Sequence, residues 1–143
     1  MLEISNHSRI LCGVVLITVP TIEYGGVFLL GMLRKPESGY MKNPLRQNLF
    51  RAGHAHAGVW LVLSLVIQVL LDSAALSVKL KWLARVAAPL AAVAISGGFF
   101  GLAYNPNIKW LLYFGAACLV VVVLLTGAGL LRRPNVTAQR GGI

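Results

Sequence analysis

Charge is scarce in this chain and acid scarcer still: 12% of the 143 residues are charged and only four are Asp or Glu. A water-soluble domain carries about twice that charged fraction. With 57% apolar residues and a mean hydropathy of +0.76, the composition argues against one. Cysteine is nearly missing as well. Cys12 and Cys118 fall in separate apolar runs, which leaves no disulfide framework and no CxxC redox pair. Beyond the start residue only Met32 and Met41 occur, too few for a methionine-rich copper pathway. There is no Gly-rich phosphate loop, no GxSxG elbow and no acid pair suited to glycoside hydrolysis. No aromatic-basic surface for nucleic acid is present either. The length leaves room for one domain and none for a large soluble catalytic unit beside a membrane bundle.

What the chain does have is long apolar runs. Spans are expected at about 10–33, 50–71, 82–102 and 110–131, each near the roughly 20 residues that cross about 30 Å of hydrocarbon. A signal peptide is a poor reading of the first run, because Pro20 and Glu23 stand where a small-residue cleavage site would fall. With backbone polar groups satisfied inside helices, the expected fold is all-α: one polytopic membrane domain over 1–143, an up-down four-transmembrane-helix bundle. Asn43 and Pro44 predict a capped helix start, with an amphipathic lead-in before the second span. Asn105, Pro106 and Asn107 predict a turn.

The excess of base, formally +9, flanks the apolar runs. Arg9, Lys79, Lys81, Arg85, Arg132, Arg133 and Arg140 fall on the face of the termini. Arg34, Lys35, Lys42, Arg46, Arg51 and Lys109 fall on the other. Seven against six leans toward cytoplasmic termini.

An ionisable side chain in mid-membrane is costly unless paired and marks a functional hypothesis. Glu23 is the acid that qualifies, three positions after Pro20 and just before Gly25 and Gly26, which let a neighbour approach the backbone. The second span opens with His54 and His56 among Ala52, Gly53, Ala55, Ala57 and Gly58. At 1.5 Å per residue, Glu23 would lie about 12 Å deep and the histidines about 3 to 6 Å deep from the same face. One Glu and two His suit zinc, iron or copper, although the set is one ligand short of a closed tetrahedral site. Residues two apart on a helix point about 200° away from each other, so joint ligation by His54 and His56 requires local unwinding. The alternative is histidines that bridge helices or bind water near the interface. The stripe through His54 runs from Gln47 and Arg51 to Gly58, Leu61, Leu65, Gln68 and Asp72, polar enough to face the interior. It makes Arg51 and Gln68 the expected supporting residues around the site. Haem is a further cofactor reading, with His54 or His56 as a single axial ligand.

Gly97 and Gly101 form a GxxxG pattern, and Gly115, Gly127 and Gly129 follow in the fourth span. These faces suit packing inside the bundle, a homodimer or a larger membrane complex. Pro89 should bend the third span.

The segment Phe50-Arg51-Ala52-Gly53-His54-Ala55-His56-Ala57-Gly58, with Thr21-Ile22-Glu23-Tyr24-Gly25-Gly26 before it, resembles a group of small bacterial four-span membrane proteins. The resemblance implies a bacterial plasma (inner) membrane. More distantly, Phe-Arg followed by HxH is similar to small relatives of haem-copper oxidase subunit one, from which this chain departs by having no histidine in its later spans. The expected function is an integral membrane protein whose site of Glu23, His54 and His56 binds a metal ion, haem or a proton. The alternatives are an accessory or assembly subunit and a dimeric proton-coupled carrier. No complete nucleophile or acid–base set marks it as an enzyme.

Overall fold

The computed structural model describes residues 4–132. Arg133 and Arg140, counted above with the face of the termini, lie outside them. The described chain is helical, with no strand. Four of its helical stretches are long and apolar enough to cross a membrane, and the chain is a multi-pass membrane protein.

The first span is two helices. α1 covers Asn6–Ile17 and α2 covers Val19–Arg34, with Thr18 between them. Pro20 has no N–H for the carbonyl of Leu16, and the chain tightens there into three-residue hydrogen bonds, Thr18 N to the Val15 carbonyl and Thr21 N to the Thr18 carbonyl. The threonine hydroxyls bond the same two carbonyls at 2.6 Å. The single helix expected over 10–33 is therefore broken near its middle.

Two one-turn 3₁₀ helices, Pro36–Ser38 and Tyr40–Lys42, follow around Gly39, whose φ of 66° suits glycine. α3 spans Pro44–Ser73, and the Asn43 side chain caps it by accepting from Arg46 N at 3.0 Å, as the sequence predicts. The lead-in expected before residue 50 is continuous with the span. α4 spans Val78–Leu102 from a Ser77 cap, and α5 spans Lys109–Leu131 after the turn at Pro106–Ile108.

α4 is the centre of the packing. It lies between α3 and α5, while the first span leans mainly on α3. Half of the apolar stretch of α4 is buried, against 6% for the first span. Lipid tails are as apolar as leucine, so helices in a membrane associate through close packing of small residues and polar contacts. Ala84, Ala88 and Ala91 give α4 its small face. A Cβ at Gly98 would stand 2.9 Å from the backbone of Leu112, and one at Gly115 would stand 2.9 Å from Ile95 N. The α4–α5 crossing is thus tightest at Gly98, while of the GxxxG pair Gly101 packs closely on Ile108 and a Cβ at Gly97 would come no nearer than 4.0 Å to Leu111. At the other end, Gly129 makes room for Leu76 and Ala74 of the α3–α4 turn, and Ala75 N bonds the Gly129 carbonyl at 2.7 Å.

On the face opposite the termini, buried Tyr40 and Phe50 form an aromatic cluster with Phe28, Phe100 and Tyr104. The Arg46 guanidinium lies 4.5 Å from the Tyr104 ring centre. This cluster ties the first loop to α2, α3 and α4.

Candidate functional site

The residues expected to form one metal site point in different directions. His54 turns toward α2 and lies on the Gly25–Gly26 pair: a Cβ on Gly26 would be 3.3 Å from its Nε2, and one on Gly25 would be 3.5 Å from its Nδ1. The two glycines are thus the seat of an imidazole. His56 turns toward α4, its ring 4.7 Å from that of Phe99, with Nδ1 at 2.7 Å from the Ala52 carbonyl. That distance fits a proton on Nδ1. Glu23 is exposed on α2. Among the described residues no group of three or more His, Cys, Asp or Glu is placed to hold a metal ion. Arg51 is exposed and, among the described residues, its side chain reaches only Gln47, at 3.5 Å. Gln68 lies about 21 Å along α3 from His54, at 1.5 Å per residue, too far to support it.

Gln68 belongs instead to a buried polar cluster near the face of the termini, joining α1, α3 and α4. Arg85, only 4% exposed, donates through one guanidinium nitrogen to Ser8 Oγ, to the Gln68 carbonyl at 3.1 Å and to Gln68 Oε1 at 3.4 Å. Its other terminal nitrogen meets Asp72 Oδ1 at 2.6 Å in the only ion pair among the described residues. Ser5 N donates to Asp72 Oδ2 at 3.0 Å, and Ser8 Oγ donates to the Gln68 carbonyl at 2.8 Å. Gln68 Nε2 donates to the Arg85 carbonyl at 2.8 Å. Every charged group in the cluster has an opposite charge or several hydrogen bonds, the condition under which a low-dielectric site tolerates ions.

Between the first span and the α3–α4 pair lies a cavity of about 420 Å³, centred on the break at Thr18. Leu11, Val14, Val15 and Ile22 form one wall, and Ala57, Leu61, Pro89, Ala92 and Gly97 form the other. Exposed Val14 and Val93 stand at its rim, so it opens toward lipid. Ser64 and Ser96 also line it. The Ser64 hydroxyl returns to the Trp60 carbonyl at 2.8 Å, whereas buried Ser96 Oγ has no hydrogen-bond partner among the described residues.

Set against known protein families, curated proteins and solved structures, the chain matches none.

The cluster around Arg85 escaped the sequence reading because Arg85 counts there as a flanking base. The available signal was the Gln68–Asp72 step of one turn on the interior stripe, with Arg85 four residues before Pro89. The cavity has no sequence signature, since it arises where small residues of α3 and α4 face a broken helix.

Proposed function

We propose that the chain is a membrane-embedded binding protein for an apolar, chain-bearing molecule that enters sideways from the bilayer. The cavity between the first span and α3–α4 carries this reading. Its volume of about 420 Å³ falls within the roughly 300–1,000 Å³ of small-molecule sites, and like them it is mostly apolar with few polar groups. The reading places the chain in a bacterial plasma membrane, on the resemblance of its 50–58 segment, with termini cytoplasmic on the slight excess of base on that face. Native mass spectrometry of the protein released from lipid nanodiscs tests it. Wild type should retain one lipid-like molecule per chain, and Ala92→Phe combined with Gly97→Leu, which fills the cavity, should lose it. Equal retention by both would overturn the reading.

A second reading, an accessory subunit of a larger membrane complex, is favoured by the first span, of whose apolar stretch 6% is buried within the chain. It predicts a partner that crosslinks from photoreactive residues on the exposed side of α2, such as Val27 or Leu30. Crosslinks to lipid alone would count against it.

A further inference from the structure

The apolar cavity and a second pocket follow one another along the seam between the first span and α4. His7, Leu11, Val14 and Thr18 recur on one side of the first span, and Trp82, Pro89, Val93 and Gly97 recur on one side of α4 at spacings of three, four or seven. Residues from both rows line the cavity, and residues from both line a second pocket nearer the face of the termini. That shallow pocket, about 500 Å³, has a larger polar share in its lining than the deep one, with Asp72, Lys81 and Arg85 among its residues. His7 and Trp82 meet across it edge to face, ring centres 5.0 Å apart. The Arg85–Ser8 bond joins α1 to α4 at this level. Both residues are buried, so a chain running from one pocket to the other passes on the lipid side of that bond.

Among the described residues, the charges lining the shallow pocket do not cancel. Arg85 is matched by Asp72 at 2.6 Å. Lys81 lines the same pocket, and its ammonium donates to the Asp72 backbone carbonyl at 3.2 Å and to no carboxylate among the described residues. An ammonium has three donors, so donors remain for a ligand. Trp82 adds an indole of the kind that sits at headgroup level.

We propose that the two pockets together bind a single anionic amphiphile, its phosphate or carboxylate head on Lys81 in the shallow pocket and its chain running along the α1–α4 seam into the apolar cavity. The proposal rests on the apolar-ligand reading above and adds the charge and place of the head.

Electron spin resonance on full-length protein in phosphatidylcholine vesicles tests it, with trace doxyl-labelled phosphatidylglycerol, stearate or phosphatidylcholine as probe. At low ionic strength the motionally restricted population should favour an anionic probe over phosphatidylcholine by about fivefold, the effect of one basic residue at the headgroup level. Preference for labelled phosphatidylglycerol assigns a phospholipid, and preference for labelled stearate assigns a free acid. Lys81→Gln should abolish the preference and Lys81→Arg should keep it. Lys79→Gln, an equal charge loss at an exposed neighbour outside the pocket, should leave it unchanged. An equal loss in the Lys79 and Lys81 variants, or no preference in wild type, would overturn the proposal while leaving the cavity reading intact. If Ala92→Phe failed to reduce the restricted population of any probe, the cavity reading would fall, and the proposal with it.

Discussion

The side-chain amide of Gln68 donates at 2.8 Å to the backbone carbonyl of Arg85, the one that Pro89, four residues later in α4, leaves without its helical donor. A side chain of α3 thus repairs a gap in the hydrogen bonding of α4. Such repair by a neighbouring helix is what lets a proline stand inside a membrane span. The contact is mutual, since the Arg85 guanidinium donates to the Gln68 carbonyl and side chain.

That relationship predicts a measurable coupling. Gln68→Leu should destabilise the protein by about 1–3 kcal/mol, the cost of leaving buried partners unsatisfied. In a Pro89→Ala background the restored N–H of residue 89 returns to the Arg85 carbonyl, and the cost should shrink by roughly 1 kcal/mol. Unfolding in mixed micelles, read as a double-mutant cycle, gives the coupling. Strict additivity would show that the two residues act independently.

Asp72 and Arg85 make a sharper case, because removing either leaves the other without its counter-charge among the described residues. Asp72→Asn or Arg85→Gln should each cost about 3 kcal/mol, the lower end for breaking a buried pair because Asp72 keeps some exposure. The joint Asp72→Leu, Arg85→Met variant should cost clearly less than the sum. The same unfolding assay measures all three. A single variant as stable as wild type would show that water reaches the pair and screens it.

The number of spans, their approximate bounds and the Asn43 cap were legible in the sequence, since they follow from local quantities: apolar run length, a polar side chain ahead of Pro44, and turn residues such as Asn105. The interior stripe through Gln68 and Asp72 was legible for the same reason, being one helix's own periodicity. Their partner was not, because pairing Arg85 with Asp72 requires knowing how α3 and α4 rotate about their axes. The divergence of His54 and His56 follows from helix geometry alone. That His54 settles on Gly25–Gly26, however, depends on the register between α2 and α3, which no local pattern encodes. The same holds for Gly98 in place of Gly97 at the α5 contact.

Glycines of α3 and α4 should separate cleanly by what surrounds them. Gly98→Ala places a Cβ 2.9 Å from the Leu112 backbone, and Gly58→Ala meets nothing within 4 Å among the described residues. The first should lower stability by about 1–3 kcal/mol through overpacking. The second should be neutral or raise it by up to about 1 kcal/mol, as alanine is the better helix former. Thermal denaturation of the two variants side by side checks the order. A reversed order would mean that α4 and α5 do not cross at Gly98.

His54 and His56 point to different helices, one to the Gly25–Gly26 seat and the other to Phe99, so removing them should produce two unrelated effects. His54→Ala opens a void against α2 and should loosen the first span, seen as faster hydrogen exchange in α2 with little change in α4. His56→Ala should do the reverse, since its ring packs on α4. Metal analysis and an absorption spectrum should then give the same metal content and no haem band in wild type and in the His54→Ala, His56→Ala double variant. A haem band lost in the double variant would assign an axial ligand to one of the two rings, whereas a metal ion held by both would require the local unwinding of α3 around Ala55 that ideal helix geometry demands.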